Sequence, residues 1–377
     1  MLTNDYILLA MLRATLSHDL MEIEKLLPLE ASAWNEVIGK ASAHGVSGLL
    51  YSVVEQLPKS LRPPLEMLLQ LYGLSERRKK NYEHQFHTAS LFASALKAKG
   101  IEMKVLKGLS FSTYYEHPEL RECGDCDCYL SRIEKGSKGS SGSKAGANGF
   151  EVGNKTILEM GGSSEFGSYK HSHLFLNGLM FENHHYITDF NGTRRGKAIE
   201  LLLEKAIDSS SGNRISETDM ICPCAYFNAL HLIRHAQGNF ISEGLILRMI
   251  YDWAMLLRVE QENLDWSQLY VDMEMCGLRQ FAEVMTTICV EYLGLRLTAK
   301  EVTLCKDKKM VEGVLKDTLG DSIRMTQGES LGHKVIRIMA RYGRFWRYRK
   351  LAIESVPVMI WNSLAFSSFM KRKISLE

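Results

Sequence analysis

Apolar residues recur at helical spacing in three stretches of the first hundred residues, Tyr6–Leu16, Trp34–Val53 and Leu65–Tyr72. Pro63-Pro64 marks the start of the third. Ser75–Lys99 follows as one long polar-faced helix that stops at Gly100. The period then shortens. Ile101–Leu106 and Gly124–Leu130 read as strands, and Gly149–Leu158 as a less regular third. Ser168–Leu176 and Leu179–Ile187 alternate on either side of Asn177-Gly178. That dipeptide is the strongest short-range hairpin signal, because both residues tolerate the positive φ of a type I′ turn. From about Arg195 the helical period returns in Ala225–Gln237, Ser242–Val259, Trp266–Cys276 and Gln280–Leu293. The pattern predicts N-terminal helices over 1–100, a sheet module over 101–194, a helical domain over 195–333 and a tail over 334–377, with no internal repeat.

Composition changes this picture in three places. The stretch 135–149, KGSKGSSGSKAGANG, holds nine Gly or Ser in fifteen residues and reads as a flexible segment. It is either a plain connection or a mobile loop near a phosphate site. The net charge of +2 is uneven: the tail from Lys334 carries ten Lys/Arg against two Asp/Glu, a net +8. Within it, Arg341–Lys350 interleaves basic and aromatic side chains, which suits RNA contact or an amphipathic helix lying on the protein body. The apolar run Val356–Phe369 needs burial somewhere. No uncharged apolar run reaches the ~18 residues of a membrane span, and the start lacks a basic signal-peptide region, so a cytoplasmic location is expected. The eight cysteines then read as reduced, buried thiols. Structural zinc at Cys123/Cys126 or Cys222/Cys224 is the alternative.

The chemistry concentrates in residues 106–130, LKGLSFSTYYEHPELRECGDCDCYL. Asp125 and Asp127 are two apart on a strand, so both carboxylates face one side, with Cys126 and Cys128 entering the core on the other. Two carboxylates on one face repel each other and call for a cation; hard oxygen ligands suit Mg²⁺ or Mn²⁺. Upstream, Lys107, Gly108 and Ser110 follow a strand and open a helix, a place where backbone N–H groups bind phosphate.

This order of strand, Gly/Ser turn, helix and Gly-Asp-x-Asp strand resembles the nucleotidyltransferase superfamily that includes DNA polymerase β. Leu106-Lys107-Gly108, Tyr114-Tyr115, Pro118, Arg121 and Gly124-Asp125-Cys126-Asp127 narrow the resemblance to the uncharacterised nucleotidyltransferase family of bacteria. Trp34 with His44-Gly45-Val46, the His231/His235 helix, the Leu247-Arg248…Asp252-Trp253 helix and Asp265-Trp266 resemble its helical parts. The turn departs from the family in reading Gly108-Leu109-Ser110, the residues after Asp127 depart from it as well, and the Gly/Ser segment stands where the family has a helix. The resemblance implies an α+β fold in which a small mixed sheet is flanked by N-terminal helices and a C-terminal helical domain. It implies transfer of a nucleoside monophosphate from an NTP such as ATP to an acceptor, a small molecule or an RNA end; a degenerate nucleotide-binding scaffold is the non-enzymatic alternative. Asp125, Asp127 and Glu182 would hold the metal. Lys107, Gly108, Ser110 and Gly124 would contact the nucleotide, with His173, His184 and Arg121 in support.

The hairpin can be registered independently. With Asn177-Gly178 as the turn, Leu176 pairs with Leu179, Phe175 with Met180, His173 with Glu182 and His171 with His184. One face then carries His171, His173, Phe175, Met180, Glu182 and His184, and His173 opposite Glu182 either tunes it or is an ordinary exposed pair. Elsewhere, His231 and His235 share a helix face without a zinc-protease glutamate and read as structural or substrate-contacting. Arg248 and Asp252, at i,i+4, are expected to pair.

Overall fold

The computed structural model describes residues 3–133, 145–188, 193–209, 212–320, 339, 342–355 and 357–358. Most of the Gly/Ser segment and most of the apolar run after Val356 lie outside them. Helices α1 (Thr3–Ser17), α2 (Met21–Glu24), α3 (Ala31–Ala43), α4 (Ser47–Val54) and α5 (Leu65–Ala98) open the chain. The two stretches expected over Leu65–Tyr72 and Ser75–Lys99 are thus one helix. Then come β1 (Ile101–Val105), α6 (Leu109–Ser112), β2 (Cys126–Arg132), α7 (Ala145–Glu159), β3 (Ser163–Phe166), β4 (His171–Leu176), β5 (Leu179–His184) and α8 (Arg194–Ser209). A strand pair, β6 (Asn213–Arg214) and β7 (Met220–Cys222), precedes α9 (Ala225–Ser242), α10 (Leu247–Glu260), α11 (Trp266–Met275), α12 (Arg279–Leu293) and α13 (Lys308–Leu319). The fold is α+β, as expected.

Two compact units divide the chain: Met1–Lys80 with Glu119–Glu122 and Leu232–Val356, and Asn81–Pro118 with Cys123–His231 and Pro357–Glu377. In the first, α1 packs against α3, α4 and α12, and Leu8, Leu9 and Met11 are buried with Trp34, Trp253 and Phe281. Trp253 Nε1 donates to Thr286 Oγ1 at 2.9 Å, which joins α10 to α12. The expected Arg248–Asp252 pair is replaced. Arg121 makes a bidentate pair with Asp252, Nε to Oδ1 at 2.7 Å and Nη2 to Oδ2 at 2.8 Å, both residues buried. Arg248 instead donates to the Glu122 carbonyl at 2.7 Å. Part of the basic tail packs in this unit: Phe345 and Tyr348 are buried, and Tyr348 lies 4.9 Å from the Phe240 ring. Among the described residues, no helix is long and apolar enough to cross a membrane.

The second unit is built on a seven-stranded mixed sheet in the order β3-β4-β5-β2-β1-β7-β6. Central strands β1 and β2 are antiparallel, while β2–β5 and β1–β7 are parallel. From α5, Ala89, Phe92, Ala93 and Leu96 recur at i, i+3, i+4 and i+7 and join the core with Met103, Val105, Cys126, Cys128, Leu130 and Phe181. Cys126 and Cys128 do enter the core opposite the carboxylates.

Three sequence expectations fail here, each for a physical reason. Gly149–Leu158 is part of helix α7, not a strand. Its glycines are needed for close approach: a Cβ on Gly149 would lie 2.0 Å from the Leu130 carbonyl oxygen, and one on Gly153 2.3 Å from Leu130 Cδ1. Their low helix propensity hid the helix. The region after Arg195 is not purely helical, because β6 and β7 extend the sheet; two and three residues are too few for a period to show. The helix expected over Ser242–Val259 begins at Leu247, since α9 runs on to Ser242 and Gly244 breaks the chain at φ 108°.

Candidate active site

The Asn177-Gly178 turn has φ of 49° and 80°, both positive, and the hairpin register is the one the turn dictates: His171↔His184, His173↔Glu182 and Leu176↔Leu179. Beside the hairpin, the parallel ladder between β2 and β5 sets Asp127 directly opposite Glu182. Asp125 lies just before β2, whose first residue is Cys126. One carboxylate oxygen from each of Asp125, Asp127 and Glu182 falls within 4.8 Å of the others. The three expected carboxylates therefore converge. Asp127 is fully buried.

Lys107 completes the cluster. After β1 the Leu106 N–H still bonds the Asp127 carbonyl at 2.9 Å, so the chain leaves the ladder one residue before Lys107. Gly108 then turns at φ 63°, ψ −111°, and a Cβ there would meet the Asp125 carbonyl at 3.2 Å. A glycine is required for that conformation. The turn lets Lys107 Nζ reach Asp127 Oδ2 at 3.0 Å. Gly124 is tied to α5 by its carbonyl, which accepts from Gln85 Nε2 at 3.2 Å. Ser110 is fully buried and its hydroxyl donates to Cys222 Sγ at 3.0 Å, so its side chain is committed to the core.

His184 bridges the carboxylates. Its Nε2 lies 3.0 Å from Asp127 Oδ1 and 3.4 Å from Glu182 Oε2, and its Nδ1 lies 3.0 Å from the Tyr186 carbonyl. His171 is 3.5 Å from Glu182 through Nδ1. His173 lies across the strand from Glu182 but stacks on His171, with the two Nε2 atoms 3.2 Å apart. Contact with Glu182 is thus made by His171 and His184, and His173 stands behind His171. Arg121 belongs to the other compact unit, where it is paired with Asp252.

Glu200 of α8 was invisible in the sequence. Its carboxylate accepts from Ile187 N at 2.6 Å, Thr188 N at 2.7 Å and Thr188 Oγ1 at 2.7 Å. It clamps the segment that carries the Tyr186 carbonyl, and through it the His184 ring. A lone Glu in an amphipathic helix gives no local signal of a partner twelve residues upstream. His171 could have been found: the alternation that put it on the polar face also put it opposite His184.

The electrostatics fit a cation. Burial, reinforced by the Asp127 charge, pushes the Asp125 carboxyl up. Burial would raise Asp127 too, but the Lys107 ammonium and the His184 hydrogen bond hold it well below the usual carboxylate range. At Glu182, burial is likewise outweighed by the His184 hydrogen bond, and its carboxyl is held low. Burial would lower the Lys107 ammonium, but Asp127, Asp125 and Glu182 outweigh it and raise it. Three carboxylates face one ammonium, an acidic excess that a divalent ion would balance. The donors are all oxygen, which suits Mg²⁺ or Mn²⁺. His231 is neutral, its imidazole pushed down to about 3 by burial, and stacks on Phe227 at 5.4 Å. The groups able to hold a metal, among the described residues, are Asp125–Asp127–Glu182 and His171–Glu182–His184.

No curated protein and no solved structure matches this chain. A family model does, over residues 30–294, a span that takes in the converging carboxylates, Lys107 and the histidines around them. On that match the chain belongs to the uncharacterised nucleotidyltransferase family.

Proposed function

We propose that this protein transfers a nucleoside monophosphate from an NTP to the hydroxyl of a small-molecule acceptor. The acceptor hydroxyl would give up its proton to solvent as its oxygen bonds to the α-phosphorus, the bond from that phosphorus to the bridging oxygen would break, and pyrophosphate would leave. The observation that carries the reading is the convergence of Asp125, Asp127 and Glu182 beside Lys107 in a member of this family. Mg²⁺ or Mn²⁺ held by the three carboxylates would supply Lewis-acid polarisation and charge neutralisation at the phosphates. Lys107, partly exposed while paired to Asp127, offers its ammonium to a phosphate oxygen. Gly108 and Gly124 would contact the nucleotide through their backbones. His184 holds the Asp127 and Glu182 carboxylates in register, which keeps both ionised and makes Glu182 a better cation ligand than proton acceptor. Positioning and charge account for most of such catalysis.

The test is incubation of the full chain with each α-labelled NTP, Mg²⁺ or Mn²⁺ and a cell extract, with NTP binding measured in parallel. Asp125→Ala and Asp127→Ala should each abolish metal–NTP binding and label transfer while leaving the circular dichroism spectrum intact. A double variant with full NTP affinity and turnover refutes the reading. An RNA end as acceptor is the second reading. It is favoured by Trp346, 69% exposed with the Arg349 guanidinium 5.8 Å from its ring. Salt-dependent RNA binding lost in Trp346→Ala would select it.

A further inference from the structure

We infer that His171, Glu182 and His184 form a second cation site, built to take a zinc-class transition-metal ion. It shares Glu182 with the all-oxygen cluster but does not depend on what that cluster does.

The hydrogen positions can be argued from the partners. The Tyr186 carbonyl can only accept, so His184 Nδ1, 3.0 Å away, carries the hydrogen. Its Nε2 faces Asp127 Oδ1 at 3.0 Å and Glu182 Oε2 at 3.4 Å. Two carboxylate oxygens at that nitrogen call for a positive centre there, a proton or a metal ion. A proton there would bond His184 to both carboxylates but would do nothing for His171. Across the hairpin, however, His171 Nδ1 is buried without a hydrogen-bond partner and lies 3.5 Å from the same Glu182 oxygen. Two ring nitrogens thus approach one carboxylate oxygen, the three donors lie within 4.8 Å of one another, and one metal ion would satisfy all three. The separations of 3.4 and 3.5 Å match the ~3.4 Å edge of a tetrahedron with bonds of about 2.1 Å, the length of Zn–N and Zn–O bonds. An N₂O donor set with an open fourth position favours zinc or its neighbours over Mg²⁺.

The supporting groups have the form such sites take. A ligating histidine donates its other nitrogen to a backbone carbonyl, as His184 does to Tyr186. Glu200 anchors that segment through the Ile187 and Thr188 amides. His171 is fixed by its stack on His173, and Gly167 makes room for the pair: a Cβ there would lie 2.8 Å from His171 Cδ2 and 2.9 Å from His173 Nε2.

The test uses the full chain, stripped by chelator, with Mg²⁺ in excess to keep the oxygen cluster filled. Co²⁺ is then titrated in while the visible band of tetrahedral cobalt is followed, and Zn²⁺ is added as competitor. We expect one Co²⁺ per chain, displaced by Zn²⁺. His171→Gln should weaken binding at least tenfold, and Gly167→Ala, which keeps every ligand, should weaken it measurably. Asp125→Asn should lose Mg–NTP binding yet retain the cobalt band, so that failure of the nucleotidyltransferase reading and failure of this one are separable. Circular dichroism checks each variant's fold. Absence of the band in the parent chain, or a band unchanged in folded His171→Gln and Gly167→Ala, overturns the inference.

Discussion

Gly149→Ala sets two effects of known sign against each other. Alanine is the better helix former by about 1 kcal/mol, so propensity alone predicts stabilisation. The structure predicts the reverse. The new Cβ would lie 2.0 Å from the Leu130 carbonyl oxygen, 2.5 Å from the carbonyl carbon and 3.1 Å from Ser131 N. These are backbone atoms of β2, held in the antiparallel ladder to β1 at the Leu130–Met103 and Ser131–Glu102 pairs, so they yield little. Helix α7 would have to retreat by about 1 Å to restore ordinary contact. That would strain the hydrogen bonds from Asn183 Nδ2 to the Phe150 carbonyl and to Asn154 Oδ1, both 2.9 Å. Overpacking of this kind costs about 1–3 kcal/mol, and contact with immobile backbone belongs at the upper end. The net expectation is destabilisation by about 2 kcal/mol. Gly73→Ala is the internal control: it too is a helical glycine, but nothing lies within 4 Å of its would-be Cβ, so that variant should gain up to about 1 kcal/mol. Calorimetric melts of both variants decide the matter. A Gly149→Ala protein as stable as the parent would mean that α7 does not approach β2 as described.

Two further outcomes follow from buried charge. Arg121→Met leaves the Asp252 carboxylate buried without its bidentate partner and should cost about 3–5 kcal/mol, whereas the double variant Arg121→Met/Asp252→Leu should recover much of it; a loss below 1 kcal/mol in the single variant, read by denaturant titration, would contradict the geometry. Burial, with Glu200 and Asp208 nearby, pushes the Glu204 carboxyl up to about 7. Because that value lies above the unfolded one, its contribution to stability is complete below about pH 4.5 and is lost as pH rises through 7. Glu204→Gln should therefore stabilise the protein at pH 8 by about 1 kcal/mol after solvent screening, seen as a higher melting temperature, and change little at pH 4.5. Equal effects at both pH values would rule this out.

What could be read from the sequence was local. Asn177-Gly178 dictated the hairpin register, and a period of two put Asp125 and Asp127 on one side and Cys126 and Cys128 on the other. Those are properties of neighbours in the chain. The β2–β5 ladder that brings Glu182 to Asp127 is not such a property and came only through the family resemblance. The partner of Asp252 was misassigned because i,i+4 proximity favoured Arg248, while the actual partner lies 131 residues away. Helix α7 was misread because its glycines serve packing against another element rather than the helix itself. Glu200 went unnoticed for the same reason: its acceptors' donors lie in a loop before the helix.

The parallel ladder has a kinetic consequence. Asp127 and Glu182 meet only when β5 docks beside β2, and α7, β3 and β4 separate those two strands in the chain. The intervening chain must be closed before any of its contacts repay the entropy, which makes this pairing a late event in folding. The repulsion between Glu182 and the two aspartates is felt only at that last step. A divalent ion bound there would therefore stabilise the native state without touching the earlier barrier, and its effect should fall on the unfolding rate rather than the folding rate. Cation binding would then act as a latch: it lengthens the life of the folded protein and leaves the time it takes to fold unchanged.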